Sequence, residues 1–207
     1  MEEIIKNIIT DILSMLYQSF WFSLFLAVLF MFVIKQHTGF KDAATKWMTW
    51  FKTEKKFRRT FFLVLYSALV MFRTLMNRSV YINPLSNVLG EWTIFESRDA
   101  YHRFNPNVIE NVFLLIPFIF LLFLSVKDKL FKNGITILRV LTKSAVISFL
   151  VSFTIETLQL FLHLGTWQLS DLVYNTLGGI IGGVLYYIAY IIVRKHRNKV
   201  KSNSQED

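Results

Sequence analysis

Cysteine is absent from this 207-residue chain, which excludes disulfides, thiol catalysis and thiolate metal sites. Proline and glycine are scarce, at three and eight residues, too few to mark a flexible linker, and no internal repeat divides the chain. The chain also lacks a paired-histidine metal motif, a nucleophile elbow and a glycine-rich phosphate loop, so the most recognisable soluble enzyme classes have no footing here. Acidic residues are outnumbered, 14 against 23 Lys and Arg, leaving a net charge of +9.

Apolar side chains dominate what remains. Hydrophobic residues make up 54% of the chain, 21 of them Phe, and they cluster in blocks of membrane-spanning length. The pattern predicts an all-α integral membrane protein, a bundle of about five transmembrane helices over residues 15–34, 60–77, 108–126, 142–163 and 171–193. At 1.5 Å rise per residue each matches a hydrocarbon core of about 30 Å. Arg73 interrupts the second. A single membrane domain over residues 15–200 accounts for the bulk of the chain, with a disordered tail expected at 201–207.

Residues 1–14 carry Ile4, Ile5, Ile8, Ile9 and Ile12 at helical spacing, which fits either an amphipathic helix in the interface or an extension of the first span. The first apolar block starts late, follows an acidic leader and lacks a small-residue cleavage site, so a retained span is expected instead of a signal peptide. The run Lys52 to Arg59, with Trp47 and Trp50 upstream, reads as an interfacial anchor.

Loop charge supplies an orientation. Lys35 to Arg59 contains eight Lys and Arg, Lys127 to Lys143 five, and Arg194 to Lys201 five. The alternate side has Lys6 in the leader, none between His163 and Asp171, and four in Arg73, Arg78, Arg98 and Arg103. The positive-inside rule then predicts an outside amino terminus and a cytoplasmic carboxyl terminus. On this reading the positive charge reflects topology and anionic lipid, and nucleic-acid binding is the weaker explanation.

Against this apolar background the polar residues stand out, because lipid leaves them unsatisfied unless they pair or face water. Ser144, Ser148, Ser152, Glu156, Gln159 and His163 follow at intervals of four, four, four, three and four, forming one stripe. Seven residues of helical rise set Glu156 about 10 Å below the outer end of its span. The last span opens with Asp171, which also suits a helix cap with Ser170, followed one turn later by Asn175. Gly178 with Gly182, and Gly179 with Gly183, form two small-residue pairs that permit close helix packing. Arg73, Asn77 and Arg78 end the second span, Tyr66 shares a face with Arg73, and Asn107, Glu110 and Asn111 begin the third. Pro117 is expected to kink that helix and free carbonyl groups. Residues 78–107 read as an ordered loop or re-entrant cap.

Four helices thus deliver strong polar groups to one half of the bilayer. The arrangement suits an outward-facing cavity, while Arg73 paired with Glu156 or Glu110 in a salt-bridged core is the competing explanation.

The ordered combination Asn111-Val-Phe-Leu-Leu-Ile-Pro117-Phe118, Ile155-Glu156-Thr-Leu-Gln159-Leu160-Phe161 and Asp171-Leu-Val-Tyr-Asn175-Thr-Leu-Gly178-Gly179-Ile-Ile-Gly182 resembles the VanZ-like membrane family, named for a teicoplanin-resistance protein. Asn83-Pro84-Leu85 is similar to an earlier element of that family, and the likeness covers about residues 61–193. Where the family often has Arg and Asp in the short turn before the last span, this chain has Gly165 and Gln168. The resemblance implies a multi-pass protein of the bacterial plasma membrane, linked in some members to lower susceptibility to teicoplanin-type glycopeptides.

Three functions suit these residues. The leading one is binding of an amphiphilic envelope lipid, glycolipid or lipid-linked cell-wall precursor by Arg73, Asn83, Glu110, Asn111, Glu156, Gln159, Asp171 and Asn175, with Arg78 or Arg103 at the rim. The second is a lipid hydrolase or transferase using Glu156 as general base with His163 or Asp171 as a second proton carrier. There a divalent ion held by Glu110, Glu156 and Asp171 is conceivable, although no metal motif or cofactor is implied. The third is a small proton-coupled transporter, for which five spans without a repeat would need a homo-oligomer built on the glycine faces.

Overall fold

Apolar sequence blocks become long helices because only intrahelical hydrogen bonding satisfies the backbone away from water. The computed structural model describes residues 2–35, 40–76, 78–93, 95–98 and 101–203. Its helices are α1 (Glu2–Lys35), α2 (Phe40–Thr53), α3 (Lys55–Met71), α4 (Pro106–Leu130), α5 (Ile137–Leu162) and α6 (Leu169–Asn203). Four segments, Lys55–Met76, Asn107–Leu130, Ile137–Leu162 and Leu169–Lys199, are long and apolar enough to cross a membrane, and Ser19–Lys35 of α1 is a shorter apolar stretch. The protein is therefore an all-α, multi-pass membrane protein. Its one extended element among the described residues is a small antiparallel hairpin, β1 (Phe95–Arg98) with β2 (Tyr101–Phe104).

Helix α1 runs unbroken through residues 2–14, which makes the leader a continuation of the first apolar segment. At the other end of the chain, α6 extends to Asn203, and the rest of the tail, 204–207, lies outside the described residues, as does Asn77. Amphipathic α2 stacks Trp47 on Phe51, and the Trp47 ring meets Phe57 and Phe61 of α3 edge to face. Lys35 closes this corner, pairing with Glu54 at 3.3 Å and lying over the Trp50 ring at 4.5 Å.

Helix boundaries follow local chemistry. Asn105 caps α4 by accepting from the Asn107 amide at 3.1 Å, and Pro106 follows where no amide partner is needed. Thr136 caps α5 through the Arg139 amide at 3.4 Å, and His163 ends it in the left-handed region with φ 54°. Inside α4 the backbone stays helical at Pro117, and the non-helical angles fall at Val126. The Tyr66 hydroxyl donates to the Leu114 carbonyl at 3.1 Å, filling the turn that Pro117 loosens.

The glycines of α6 draw the bundle together. A Cβ on Gly178 or Gly182 would strike the backbone carbonyls of Val112 or Ile116 on α4, whereas one on Gly179 or Gly183 would strike Ser148 or Ser144 on α5. Each glycine pair therefore serves a different neighbour within the same chain. Both faces are occupied, so they offer no surface for the dimer that the transporter reading required.

Candidate functional site

The α5 stripe turns inward. Ser144, Ser148 and Ser152 are fully buried, with Glu156 at 2% and Gln159 at 3% exposure, while large apolar side chains such as Leu150, Phe153 and Phe161 point outward. At the end of the bundle where α3 finishes and α4 and α6 begin, other helices meet this stripe.

Helix α3 ends in a π-helical turn, Phe72–Met76, and the wider spiral sets two contacts. Arg73 forms an ion pair with Glu110 of α4. The Thr74 carbonyl, left without a helical partner as the helix stops, accepts from Gln159 Nε2 at 2.8 Å. One turn deeper, Asn175 Nδ2 donates to Ser152 Oγ at 3.0 Å, and its Oδ1 is buried with no hydrogen-bond partner.

Two carboxylates lie between these contacts. Glu156 Oε2 accepts from the Gln168 backbone amide at 3.3 Å. Asp171 accepts from the Ser170 hydroxyl at 3.3 Å, and the Asn111 side chain lies near enough to stabilise its negative charge. The carboxylates repel one another, and Arg78 lies within electrostatic reach of both; Glu91 adds a further negative charge near Asp171. Gln168 meets Glu156 through its backbone, so the departure from the family's usual side chains in this turn leaves that contact possible.

Segment 78–93 forms a cap over the α5–α6 turn, held mainly through backbone groups while Val80, Ile82, Leu85 and Leu89 stay exposed. The Tyr81 amide donates to the His163 carbonyl at 2.8 Å, the Trp167 amide to Pro84 O at 2.8 Å and the Leu169 amide to Val88 O at 2.9 Å. The Glu91 amide donates to Ser170 Oγ at 3.1 Å, and the Tyr174 hydroxyl to Trp92 O at 3.0 Å. Segment 78–93 is thereby stitched to the α5–α6 turn and the first turns of α6. Gly90, at φ 73°, lets the chain pass so close to Ser170 that a Cβ would collide with its hydroxyl.

The structure gathers Glu156, Gln159, Asp171, Asn175, Asn111, Arg73 and Glu110 at one end of the bundle, with Glu156, Gln159 and Asn175 buried and the others partly buried. Arg73 is engaged by Glu110 and not by Glu156. Asn83 lies apart in an exposed turn, where its carbonyl accepts from the Ser86 amide at 3.2 Å. His163 is exposed, with Nδ1 3.2 Å from Tyr81 O, so it latches the cap and does not pair with Glu156. Glu110, Glu156 and Asp171 do not form a metal-holding group, and no cluster of three His, Asp or Glu is found among the described residues. The side chain of Arg103, expected at the rim, lies outside the described residues. Ser170, Glu91 and Thr74 were missed by sequence reading. Thr74 acts through its backbone carbonyl, which carries no residue signature; Glu91 acts through its backbone amide and its side-chain charge but lies in a loop outside any helical stripe; and Ser170 reads in sequence only as a helix cap.

These features define a multi-pass helical membrane protein with a capped polar cluster at one end of its bundle. More particularly, the chain belongs to the VanZ/LLP1 family, whose model matches residues 20–190. No match is found among curated proteins or solved structures.

Proposed function

We propose that this protein lies in the bacterial plasma membrane with its amino terminus outside, and that the capped cluster binds the polar head of an amphiphilic envelope component. A polyprenyl-linked cell-wall precursor or a glycolipid has the required chemistry. The observations that support this reading are the electrostatic reach of Arg78 to both Glu156 and Asp171 and the unpartnered Oδ1 of Asn175, one helical turn from Asp171 on α6. Arg78 is exposed and meets phosphate or carboxylate as the cap lifts, while the two carboxylates hold it at the entrance. Asn175 and Asn111 then offer hydrogen bonds to sugar or peptide groups. Arg73, engaged by Glu110, keeps the helix ends together and takes no ligand. Teicoplanin-type drugs carry a lipid tail and bind cell-wall precursors, so occupancy of such a site on the outer leaflet would reduce their effect.

A photoactivatable polyprenyl-phosphate sugar tests this. Labelling of the wild-type protein in nanodiscs is expected to fall about tenfold in Arg78→Gln, in line with the loss of one charge-assisted contact. Glycopeptide protection should fall with it while membrane insertion is retained. Undiminished labelling of Arg78→Gln would overturn the proposal.

A further inference from the structure

At the opposite end of the bundle, where α3 begins and α4 and α6 finish, the helices part around a cleft of about 810 Å³. Asp171 and Arg194 are separated by 23 residues of helix α6, so this cleft lies about 35 Å from the polar cluster by helical rise. Its lining is chemically divided. Arg59, Lys127, Arg194 and Arg197 supply positive charge, and Leu124, Ala189 and Val193 supply an apolar wall.

The floor is built. The Arg59 guanidinium donates to the Leu124 carbonyl at 3.4 Å, and the Ser125 hydroxyl donates to the Arg59 carbonyl at 3.0 Å, clasping α3 to α4. Tyr186 also lines the cleft, fixed between the rings of Phe123 and Phe131 at 5.4 and 6.1 Å. The tyrosine is 2% exposed, and its buried hydroxyl has no hydrogen-bond partner. Such an orphan donor is costly unless an acceptor arrives. The nearby carboxylate of Asp128 does not neutralise the site, since it reaches Lys127 only at 3.9 Å and is 91% exposed.

We infer that this cleft binds the phosphate group of an anionic membrane phospholipid. Four basic side chains and a phenolic donor match a phosphate's charge and acceptor oxygens, and the apolar wall matches the start of an acyl chain. The location fits as well, because the ends of membrane-spanning helices lie at head-group depth and basic pockets between them attract anionic lipid. The inference is independent of the polar cluster and of which leaflet the cleft faces.

Native mass spectrometry of the full chain from nanodiscs tests it, with phosphatidylglycerol and phosphatidylcholine in equal parts and with millimolar inorganic phosphate as a separate competitor. Wild-type protein is expected to retain phosphatidylglycerol selectively. The double variant Arg194→Gln/Arg197→Gln should retain it roughly 25-fold less, from a factor of about five for each basic side chain. Tyr186→Phe should weaken retention without altering helicity. Lys41→Gln/Lys46→Gln on α2 removes the same charge at exposed positions away from the cleft and should leave retention unchanged. Equal loss in both double variants would reduce the effect to net charge and overturn the site. Displacement by inorganic phosphate without selective lipid retention would overturn the lipid as its source.

Discussion

Arg73 of the π-helical turn pairs with Glu110 of α4, joining two helix ends that are 37 residues apart in the chain. The pair is partly buried, with side-chain exposures of 27% and 19%, so its strength lies between that of surface and fully buried pairs. Replacing either residue alone, as in Arg73→Gln or Glu110→Gln, is expected to destabilise the folded protein by about 1–3 kcal/mol. The combined exchange Arg73→Glu/Glu110→Arg should recover part of that loss. Thermal unfolding in detergent checks both, and additive losses in a double-mutant cycle would contradict a direct coupling.

The α6 glycines predict a ranking. A Cβ at Gly178 meets the Val112 backbone carbonyl, whereas one at Gly183 meets the Ser144 side chain at 2.8 Å. Ser144 Cβ is as fixed as a backbone atom, but the overlap at Gly183 is much smaller than that with the Val112 carbonyl at Gly178. Gly178→Ala should therefore cost at least the 1–3 kcal/mol typical of overpacking, about that range or more, and Gly183→Ala less. Comparing unfolding temperatures of the two variants decides it; equal losses would mean that α4 shifts to relieve the larger overlap at Gly178.

Gly90 tests the cap. Alanine there meets both a left-handed backbone and the Ser170 hydroxyl. Gly90→Ala is expected to accelerate amide exchange across residues 78–93 while the spanning helices stay protected. Adding Ser170→Ala should restore protection only in part, because the backbone angle remains unfavourable and Ser170 Cβ and Gln168 Cβ stay within about 3.0 Å of the new methyl.

The proposed orientation is accessible through the absence of native cysteine. Single cysteines at Ser86 in the exposed cap and at Asn198 near the end of α6 have no background thiol to confuse labelling. A membrane-impermeant maleimide applied to intact cells should label Ser86→Cys, and should reach Asn198→Cys only after permeabilisation. The reverse pattern would invert the topology.

Periodicity explains why so much of this molecule was legible beforehand. A helix repeats its faces every 3.6 residues, so the spacing of Ser144, Ser148, Ser152, Glu156 and Gln159 already defined one inward stripe. The same geometry exposed the two glycine pairs. Arg73's partner was not legible, since Glu156 and Glu110 had equal claim by depth. Nor was the fate of His163, which continues the stripe in sequence but leaves it in space because α5 ends there with a left-handed residue.

Sequence by itself determined the membrane as solvent, four of the five expected spanning helices and the helix ends toward which polar groups collect, because these follow from hydrophobic length and from the local geometry of a single helix. The first expected span is a shorter apolar stretch of α1. Tertiary structure alone decided which polar groups meet. The π-helical turn delivered Arg73 to Glu110 and Thr74 O to Gln159, the backbone of the cap closed over Ser170, and the helix ends parted to form the basic cleft. Those outcomes depend on distances between segments far apart in the chain and on backbone hydrogen bonds that no residue type announces.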